Sequence, residues 1–296
     1  MPKGWKLEIT HVYDHIASAC VCCGNRHLKR SPAILMPFIS HRVYQWEPIQ
    51  IDESWDLKTI HKGQAYALCN SLLCSQCGLL FLDIRFGQLE MERLYKNYRD
   101  ESYVELREHY EPGYRGRNEG LLKGISYLPK VESFLQPHLP DKLRVLDWGG
   151  DAGTNTPFKY LDSNEIHIYD ISGIETNGRF KKVSKLSASN YSYDLIVCSN
   201  VLEHVPFPEQ VLREIKLMMT LSTVLYLEVP FEKHVKESID SNSLLHGKKH
   251  WHEHINFFTQ QALFTLVTSV GLSTLSFKIL FEEEPYSIFM LACSLD

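Results

Sequence analysis

The stretch VLDWGGDAG (residues 145–153) decides the fold. Its apolar start, within the run LRVLDWGG, reads as a buried strand that ends at Asp147 and paired glycines. Gly149, Gly150 and Gly153 then make a loop where backbone can approach a ligand as side chains would not. Downstream, EIHIYDIS is a second strand ending at Asp170, where a carboxylate can accept both hydroxyls of a ribose. YDLIVCSN and STVLYLEVP are further strands. PFPEQVLREIKLMM reads as a helix with Pro208 in its first turn and Val211, Leu212, Ile215 and Met218 on one face. A short helix is also expected after the glycine loop. Strands alternating with helices predict an α/β fold with a doubly wound, mainly parallel sheet and a ligand across the strands' C-terminal ends. A glycine loop alone is weak evidence; strand, glycine loop and an acidic residue ending the next strand are more specific together.

The chain of 296 residues has length for about two domains of ~150 residues each. At 44% hydrophobic and 23% charged residues its composition is that of an ordinary soluble globular protein. A formal net charge of −5 gives no electrostatic reason to expect nucleic acid or an anionic membrane as partner. The densest apolar runs, AILMPFI and LLFLDI, fall far short of the ~18 residues a membrane span requires. The start MPKGWKLEIT lacks a basic segment followed by an apolar one, so no secretion signal is read and a cytoplasmic, reducing location is expected. There, thiolates bind metals more often than they form disulfides.

Six of the eight cysteines lie in the first 77 residues, and four of them repeat one pattern. Cys20 and Cys23 precede Gly24 in C-x-x-C-G, and Cys74 and Cys77 precede Gly78 in the same way. Two such knuckles supply four thiolates, a closed tetrahedral Zn2+ site with no open position for water, and so a folding role. The plainer reading is reduced cysteines in a core. Cys22 and Cys69 are spare, and Cys22 competes with a neighbour as ligand at a worse spacing.

With these residues in place, the chain resembles the class I S-adenosylmethionine-dependent methyltransferases. VLDWGGDAG matches their first motif, Asp170 their ribose carboxylate, and YDLIVCSNVLEHVPFPEQVLREI their fourth strand and following helix. TQQALFTLVTSVGL, STLSFKILFE and YSIFMLACSL match a helix and the antiparallel hairpin that ends the family's sheet. The resemblance spans about residues 130–296 and implies cofactor contacts at Asp147, Gly149, Gly150, Gly153, Asp170, Ile171, Ser199 and Asn200. Asp151 departs from it, standing where the family has glycine and placing a carboxylate near the cofactor's amino-acid moiety. Aspartate tolerates left-handed backbone better than most residues, so the loop is expected to survive.

Double cysteine knuckles ahead of such a core resemble, more narrowly, the sugar C-methyltransferases that act on nucleotide-linked keto-deoxysugars. This predicts a zinc-binding module at 1–84, a helical connector at 85–135 and a methyltransferase domain at 136–296. The resemblance implies that a connector tyrosine reaches the site. Tyr98 and Tyr103 are the candidates among tyrosines 95, 98, 103 and 110, with Tyr98 taken as catalytic. The alternative is that these tyrosines cover core edges. It also implies catalytic roles for Glu253 and His254 in Trp251-His252-Glu253-His254, and a place for His204 of VLEHVP beside the transferred methyl group. Trp251 stands where the family has a tyrosine whose hydroxyl can touch substrate. The family continues into a further domain that helps hold the nucleotide-sugar, whereas this chain ends at Asp296. The acceptor is therefore expected to be smaller, or to be held by HVKESIDSNSLLHGKKH and a partner.

His250, His252 and His254 alternate, so in an extended chain they share a face and suggest a second metal. Asn256 occupies the place of the second histidine of H-E-x-x-H, which argues against it. Surface histidines on a loop before a helix are the structural reading of His250 and His252. The chemistry expected is methyl transfer from S-adenosylmethionine to a sugar-like small molecule, at carbon or oxygen, through a histidine–glutamate acid–base site. The alternatives are an RNA methyltransferase with a zinc module and a binding module that has lost activity.

Overall fold

A computed structural model describes residues 16–176, 178–281 and 287–296. The N-terminal part contains strand β1 (Leu28–Leu35), helix α1 (Pro37–Tyr44), a small hairpin of β2 (Ile49–Ile51) and β3 (Gly63–Ala65), and strands β4 (Ala67–Cys74) and β5 (Leu80–Leu82). Four helices follow: α2 (Gln88–Tyr95), α3 (Glu101–Tyr110), α4 (Tyr114–Leu122) and α5 (Leu128–Leu135). The α/β part begins with β6 (Arg144–Trp148), β7 (Glu165–Tyr169), β8 (Lys181–Lys182), α6 (Lys185–Ala188), β9 (Leu195–Ser199), α7 (Pro208–Lys216) and β10 (Val224–Pro230). It continues through α8 (Lys233–Lys236), α9 (Ser241–Gly247), β11 (His250–Trp251), β12 (Asn256–Phe257), α10 (Gln260–Ser269), β13 (Leu272–Phe281) and β14 (Ser287–Leu295).

Seven strands form the main sheet in the order β13-β14-β10-β9-β6-β7-β8. The pairs from β10 to β8 are parallel, and β14 inserts antiparallel between β13 and β10. The central strands read as unbroken apolar runs because both faces are covered. Alternate residues go to opposite faces: Leu146, Ile196 and Leu225 pack with Leu212, Ile215, Leu263 and Leu266 of α7 and α10. Val145, Leu195 and Val224 pack with Val131 and Leu135 of α5.

The helix expected after the glycine loop is absent; residues 154–164 form successive turns. Pro157 biases the preceding residue away from helical backbone. Thr156 spends its hydroxyl on Asp147, and Phe158 is left-handed at φ 60°.

A second sheet, β11-β1-β4-β5-β12, draws strands from distant parts of the chain. β11 runs parallel to β1, with Leu35 opposite Trp251, and β12 pairs antiparallel with β5, with Asn256 opposite Phe81. The HWHEHINFF stretch thus reaches both edges of the N-terminal sheet instead of forming a surface loop. Trp251 is fully buried, and its indole N–H donates to Ser71 Oγ at 3.0 Å. It packs the interior of this sheet, which is why a hydroxyl is not needed at its position. Among the described residues no helix is long and apolar enough to cross a membrane.

Candidate active site

The glycine loop leaves the C-terminal end of β6. Gly149 has φ 80°, and a Cβ there would lie 2.5 Å from a Val201 methyl; at Gly150 it would lie 2.6 Å from the Asp147 carboxyl carbon. Side chains are therefore excluded from the loop's inner surface. Asp151 keeps the left-handed backbone, at φ 52°, and its N–H donates to Asp170 Oδ2 at 3.0 Å. Ser172 N–H donates to the other oxygen of Asp170 at 2.7 Å. Asp170 is thus aimed at the end of β7, next to an exposed Ile171. Burial pushes the Asp147 carboxyl up to about 7 against the hydrogen bond from Thr156, with Asp170, Glu228 and Asp151 adding to the rise.

At the end of β9, Ser199 Oγ and Asn200 Nδ2 both donate to Glu228 Oε1, at 3.0 and 2.8 Å. Glu228 also accepts from the hydroxyls of Tyr127 (2.9 Å) and Tyr226 (2.6 Å), so this buried carboxylate is fully partnered. Glu228 and Tyr127 are not among the sequence candidates. The signal was a lone acid in the otherwise apolar run VLYLEVP.

The loop after β9 carries Glu203 and His204. Its carbonyls are held from outside: Asn256 Nδ2 donates to Leu202 and Val205, both at 2.8 Å. Buried Arg85 donates to Pro206 at 2.9 Å, to Val205 at 3.2 Å and to Asn256 Oδ1 at 2.8 Å. Asn256, in the place of the missing histidine, is a fastener between the two sheets.

The loop sets His204 edge to face against His254, ring centroids 4.6 Å apart. His204 Nδ1 lies 3.2 Å from the backbone carbonyl of Glu253. A carbonyl only accepts, so Nδ1 carries hydrogen and Nε2 keeps its lone pair in the neutral ring. His254 Nδ1 bonds Glu232 Oε1 at 2.5 Å. Glu203 is 1% exposed, neither of its oxygens has a hydrogen-bond partner, and Oε1 lies 3.8 Å from His204 Nε2. Burial raises the Glu203 carboxyl to about 8, and burial with the charge of His254 lowers His204 to about 3. Burial opposes charge on His254 as well. The hydrogen bond to Glu232 and the charges of Glu232, Glu203 and Glu253 nevertheless hold it up at about 9. Glu203 stands next to His204 in VLEHVP, and nothing local marks it out, because its total burial is a tertiary fact.

Glu253 faces Arg107 of α3, whose Nη2 donates to Oε1 at 2.9 Å and whose Nη1 lies 2.6 Å from Oε2 as an ion pair, Oε2 itself accepting no hydrogen bond. Burial works against its charge, but the guanidinium wins and keeps the carboxyl below its usual range. Tyr98 is packed between Tyr95 and Tyr103, ring centroids 5.5 and 5.2 Å away, and its hydroxyl accepts from Arg99 at 3.2 Å. Tyr103 is fully buried against Phe38. Tyr95 is the connector tyrosine that meets His204, at 6.1 Å, and its hydroxyl has no partner. His250 and His252 pair with each other at 5.5 Å, and His252 bonds Glu111 at 3.3 Å, so these two do not share a site with His254.

The four knuckle cysteines converge. Sγ of Cys20 is 3.5 Å from Cys77, Sγ of Cys23 is 3.5 Å from Cys74, and all four sulfurs lie within 4.8 Å of one another. Four thiolates 2.3 Å from a tetrahedral ion would lie about 3.8 Å apart, so the set fits a zinc ion. Gly24 and Gly78 take φ 69° and 76°, and their N–H groups donate to Cys20 and Cys74 carbonyls at 2.9 and 3.0 Å. Cys22 is buried beside Cys20 in the same core but is not one of the four converging sulfurs, and Cys69 is buried in the neighbouring core. The second knuckle is tied to the cap of α10: Thr259 Oγ1 donates to the Cys77 carbonyl at 3.1 Å.

Comparison with known proteins places this geometry. Among solved structures, 1,6-didemethyltoxoflavin-N1-methyltransferase of Burkholderia thailandensis, with bound 1,6-didemethyltoxoflavin and S-adenosylhomocysteine, is 14% identical, covering 75% of this chain and 97% of its own, at a TM-score of 0.47. A SAM-dependent methyltransferase of Methanosarcina mazei is 16% identical over 55% of this chain and 96% of its own, at 0.40. The glycopeptide N-methyltransferase MtfA is 9% identical over 58% and 92%, at 0.43. No curated protein matches the sequence. The family described as "Methyltransferase domain" matches residues 116–276, more than half of the chain and the whole span from the connector through β13's first half. With the glycine loop and the Asp170 carboxylate in that span and the antiparallel hairpin completing the sheet after it, the chain belongs to this methyltransferase family and is an S-adenosylmethionine-dependent enzyme.

Proposed function

We propose that the enzyme methylates a small, hydroxyl-rich acceptor such as a sugar or nucleotide-sugar, with proton removal by the Glu203–His204 pair. The observation that carries this reading is Glu203, a buried carboxylate with no partner beside two histidines at the sheet's C-terminal end. Such a group costs stability unless ligand chemistry uses it. Asp170 would hold the ribose of S-adenosylmethionine, with the Glu203, His204 and His254 cluster on the acceptor's side. Asp147, Gly149, Gly150, Gly153, Ile171, Ser199 and Asn200 shape the cofactor's side. When bound, the cofactor supplies an electrophilic sulfonium methyl. The residues position the acceptor and take its proton. At neutral pH His254 is an imidazolium, whose free Nε2–H can donate to the acceptor oxygen. Glu253, locked by Arg107, acts through its carbonyl by orienting His204 instead of moving a proton. Unpartnered hydroxyls of Tyr95 and Tyr114 and the Asn118 side-chain carbonyl suit a polar acceptor. Tyr98 supports Tyr95 from behind. Carbon and oxygen acceptors use the same groups: the pair takes either a proton beside a ketone or a hydroxyl proton.

The domain limits 1–84, 85–135 and 136–296 belong to the same reading, with β11 and β12 of the third part completing the sheet of the first. Cys20, Cys23, Cys74 and Cys77 hold a structural zinc ion that keeps β4, β5 and the cap of α10 together. One zinc per chain by elemental analysis is expected, with unfolding on strong chelation. The acceptor is tested by supplying S-adenosylmethionine labelled in its methyl group to panels of keto- and hydroxy-sugars, nucleotide-sugars and total RNA. Label in a small-molecule fraction that Glu203→Gln abolishes supports the reading; label in RNA overturns it.

A second reading is favoured by one observation: His204 and His254 both spend Nδ1 on an oxygen, and both offer a ring nitrogen within 4.8 Å of a Glu203 oxygen. Metal-binding histidines are oriented in this way. Two metal ions per chain, one lost on mild chelation together with activity, would replace the proton-transfer reading by a divalent cation that binds the acceptor oxygen.

A further inference from the structure

Asp151 is the residue at which this glycine loop departs from the family, and the structure gives it a partner. Arg99, from the turn between α2 and α3, places Nη1 3.2 Å from Asp151 Oδ2. Both residues adopt left-handed backbone, φ 63° at Arg99 and 52° at Asp151, a conformation that non-glycine residues keep where surroundings enforce it. Each also keeps one buried polar atom without a partner: Nε of Arg99 and Oδ1 of Asp151. The pair is therefore incomplete as an ion pair. It offers one acceptor and one donor side by side.

Its position gives that vacancy a chemistry. Asp151 N–H is bonded to Asp170, the ribose carboxylate, at 3.0 Å. On the other side Arg99 stacks over Tyr98 at 4.7 Å, Tyr98 meets Tyr95 at 5.5 Å, and Tyr95 meets His204 at 6.1 Å. Asp151 and Arg99 thus stand between the ribose site and the histidine cluster. An S-adenosylmethionine held by Asp170 would bring its amino-acid end, with an α-ammonium and an α-carboxylate on one carbon, away from the ribose on a separate branch of the sulfonium. We propose that Asp151 and Arg99 form a zwitterion clamp, with Asp151 Oδ1 taking the ammonium and the Arg99 guanidinium the carboxylate. Occupancy then holds the α2–α3 turn, and with it Tyr98 and Tyr95, against the acceptor site. The carboxylate at position 151 serves the cofactor because an arginine from another element balances it.

This rests on S-adenosylmethionine as donor, so the test uses two ligands that share everything but the amino-acid end. Dissociation constants of S-adenosylhomocysteine and 5′-methylthioadenosine are measured calorimetrically for the full chain, for Arg99→Gln and for Asp151→Asn. The clamp requires each substitution to weaken S-adenosylhomocysteine by about 10- to 100-fold while 5′-methylthioadenosine changes by less than about twofold. Arg99→Lys, which keeps the charge but loses the planar fork, falls between and controls for folding. Equal losses for both ligands, or none for S-adenosylhomocysteine, overturn the clamp while leaving the donor assignment intact. Failure of the unaltered chain to bind either ligand overturns the donor and the clamp together.

Discussion

His204 and His254 meet edge to face at 4.6 Å, yet their protonation is driven in opposite directions, toward about 3 and about 9. One ring is kept neutral and the other charged because only His254 has a carboxylate, Glu232, on its Nδ1. Glu203, at about 8, completes the set. A base must be deprotonated and a donor protonated to act. kcat/KM is therefore expected to rise with pH through about 8 and to fall above about 9, the two limbs belonging to the coupled cluster. Glu203→Gln should remove the rising limb and lower kcat by about 10²- to 10⁴-fold. A rising limb that survives the substitution contradicts the role.

Stability should carry the signature of His254 as well. Its folded pKa stands above the ordinary 6.5, so protonation favours the folded state. That contribution is fully present below 6.5 and is lost as pH rises through about 9. The difference in Tm between the parent and His254→Asn should shrink over this window, measured by calorimetry without ligand. A difference that grows with pH is the contrary result.

Glu253 and Arg107 form a pair with side chains 16% and 6% exposed. Glu111, 3.2 Å from Arg107 Nε, still neutralises the guanidinium when Glu253 loses its charge. Glu253→Gln is accordingly expected to cost about 1–3 kcal/mol of stability by denaturant titration. Because the His204 contact uses the backbone carbonyl, the folded variant should keep both limbs of the pH profile, with the falling limb moved to lower pH as His254 loses the Glu253 charge. Loss of the rising limb with unchanged stability would make Glu253 a proton-transfer group instead.

Asn256 carries two hydrogen bonds to the loop bearing Glu203 and His204, and a third from Arg85. Asn256→Ala strands those buried groups at about 1–3 kcal/mol each. Turnover should drop along with Tm, while affinity for S-adenosylhomocysteine changes little, since the cofactor side is assigned to the ends of β6 and β7 and to Ser199 and Asn200, which Glu228 holds independently of Asn256. Loss of cofactor affinity equal to the loss of turnover would mean that the loop shapes both sites.

Much of this was legible in the chain because it is local. The alternation of Val145–Leu146 and Leu195–Ile196 between two faces, the glycine loop, Asp170 and the repeated C-x-x-C-G all announce themselves within a few residues. What stayed hidden depends on distant pairing. Trp251 reads as a site residue until Ser71, far away in sequence, accepts its indole N–H. Glu253 stands beside histidines in sequence, and its ion pair with Arg107 of α3 is visible only in the fold. Glu203 and Tyr95 gain their meaning only from the loop that Arg85 and Asn256 fasten. The helix missing after the glycine loop was overruled by Pro157 and by Thr156's bond to Asp147.

The most direct test is a crystal structure of the complex with S-adenosylhomocysteine. The ribose hydroxyls are expected on Asp170 and the thioether sulfur is expected to open toward His204 and His254. A sulfur that faces away from those two rings, with the ligand otherwise well ordered, would remove the Glu203–His204–His254 cluster from the chemistry.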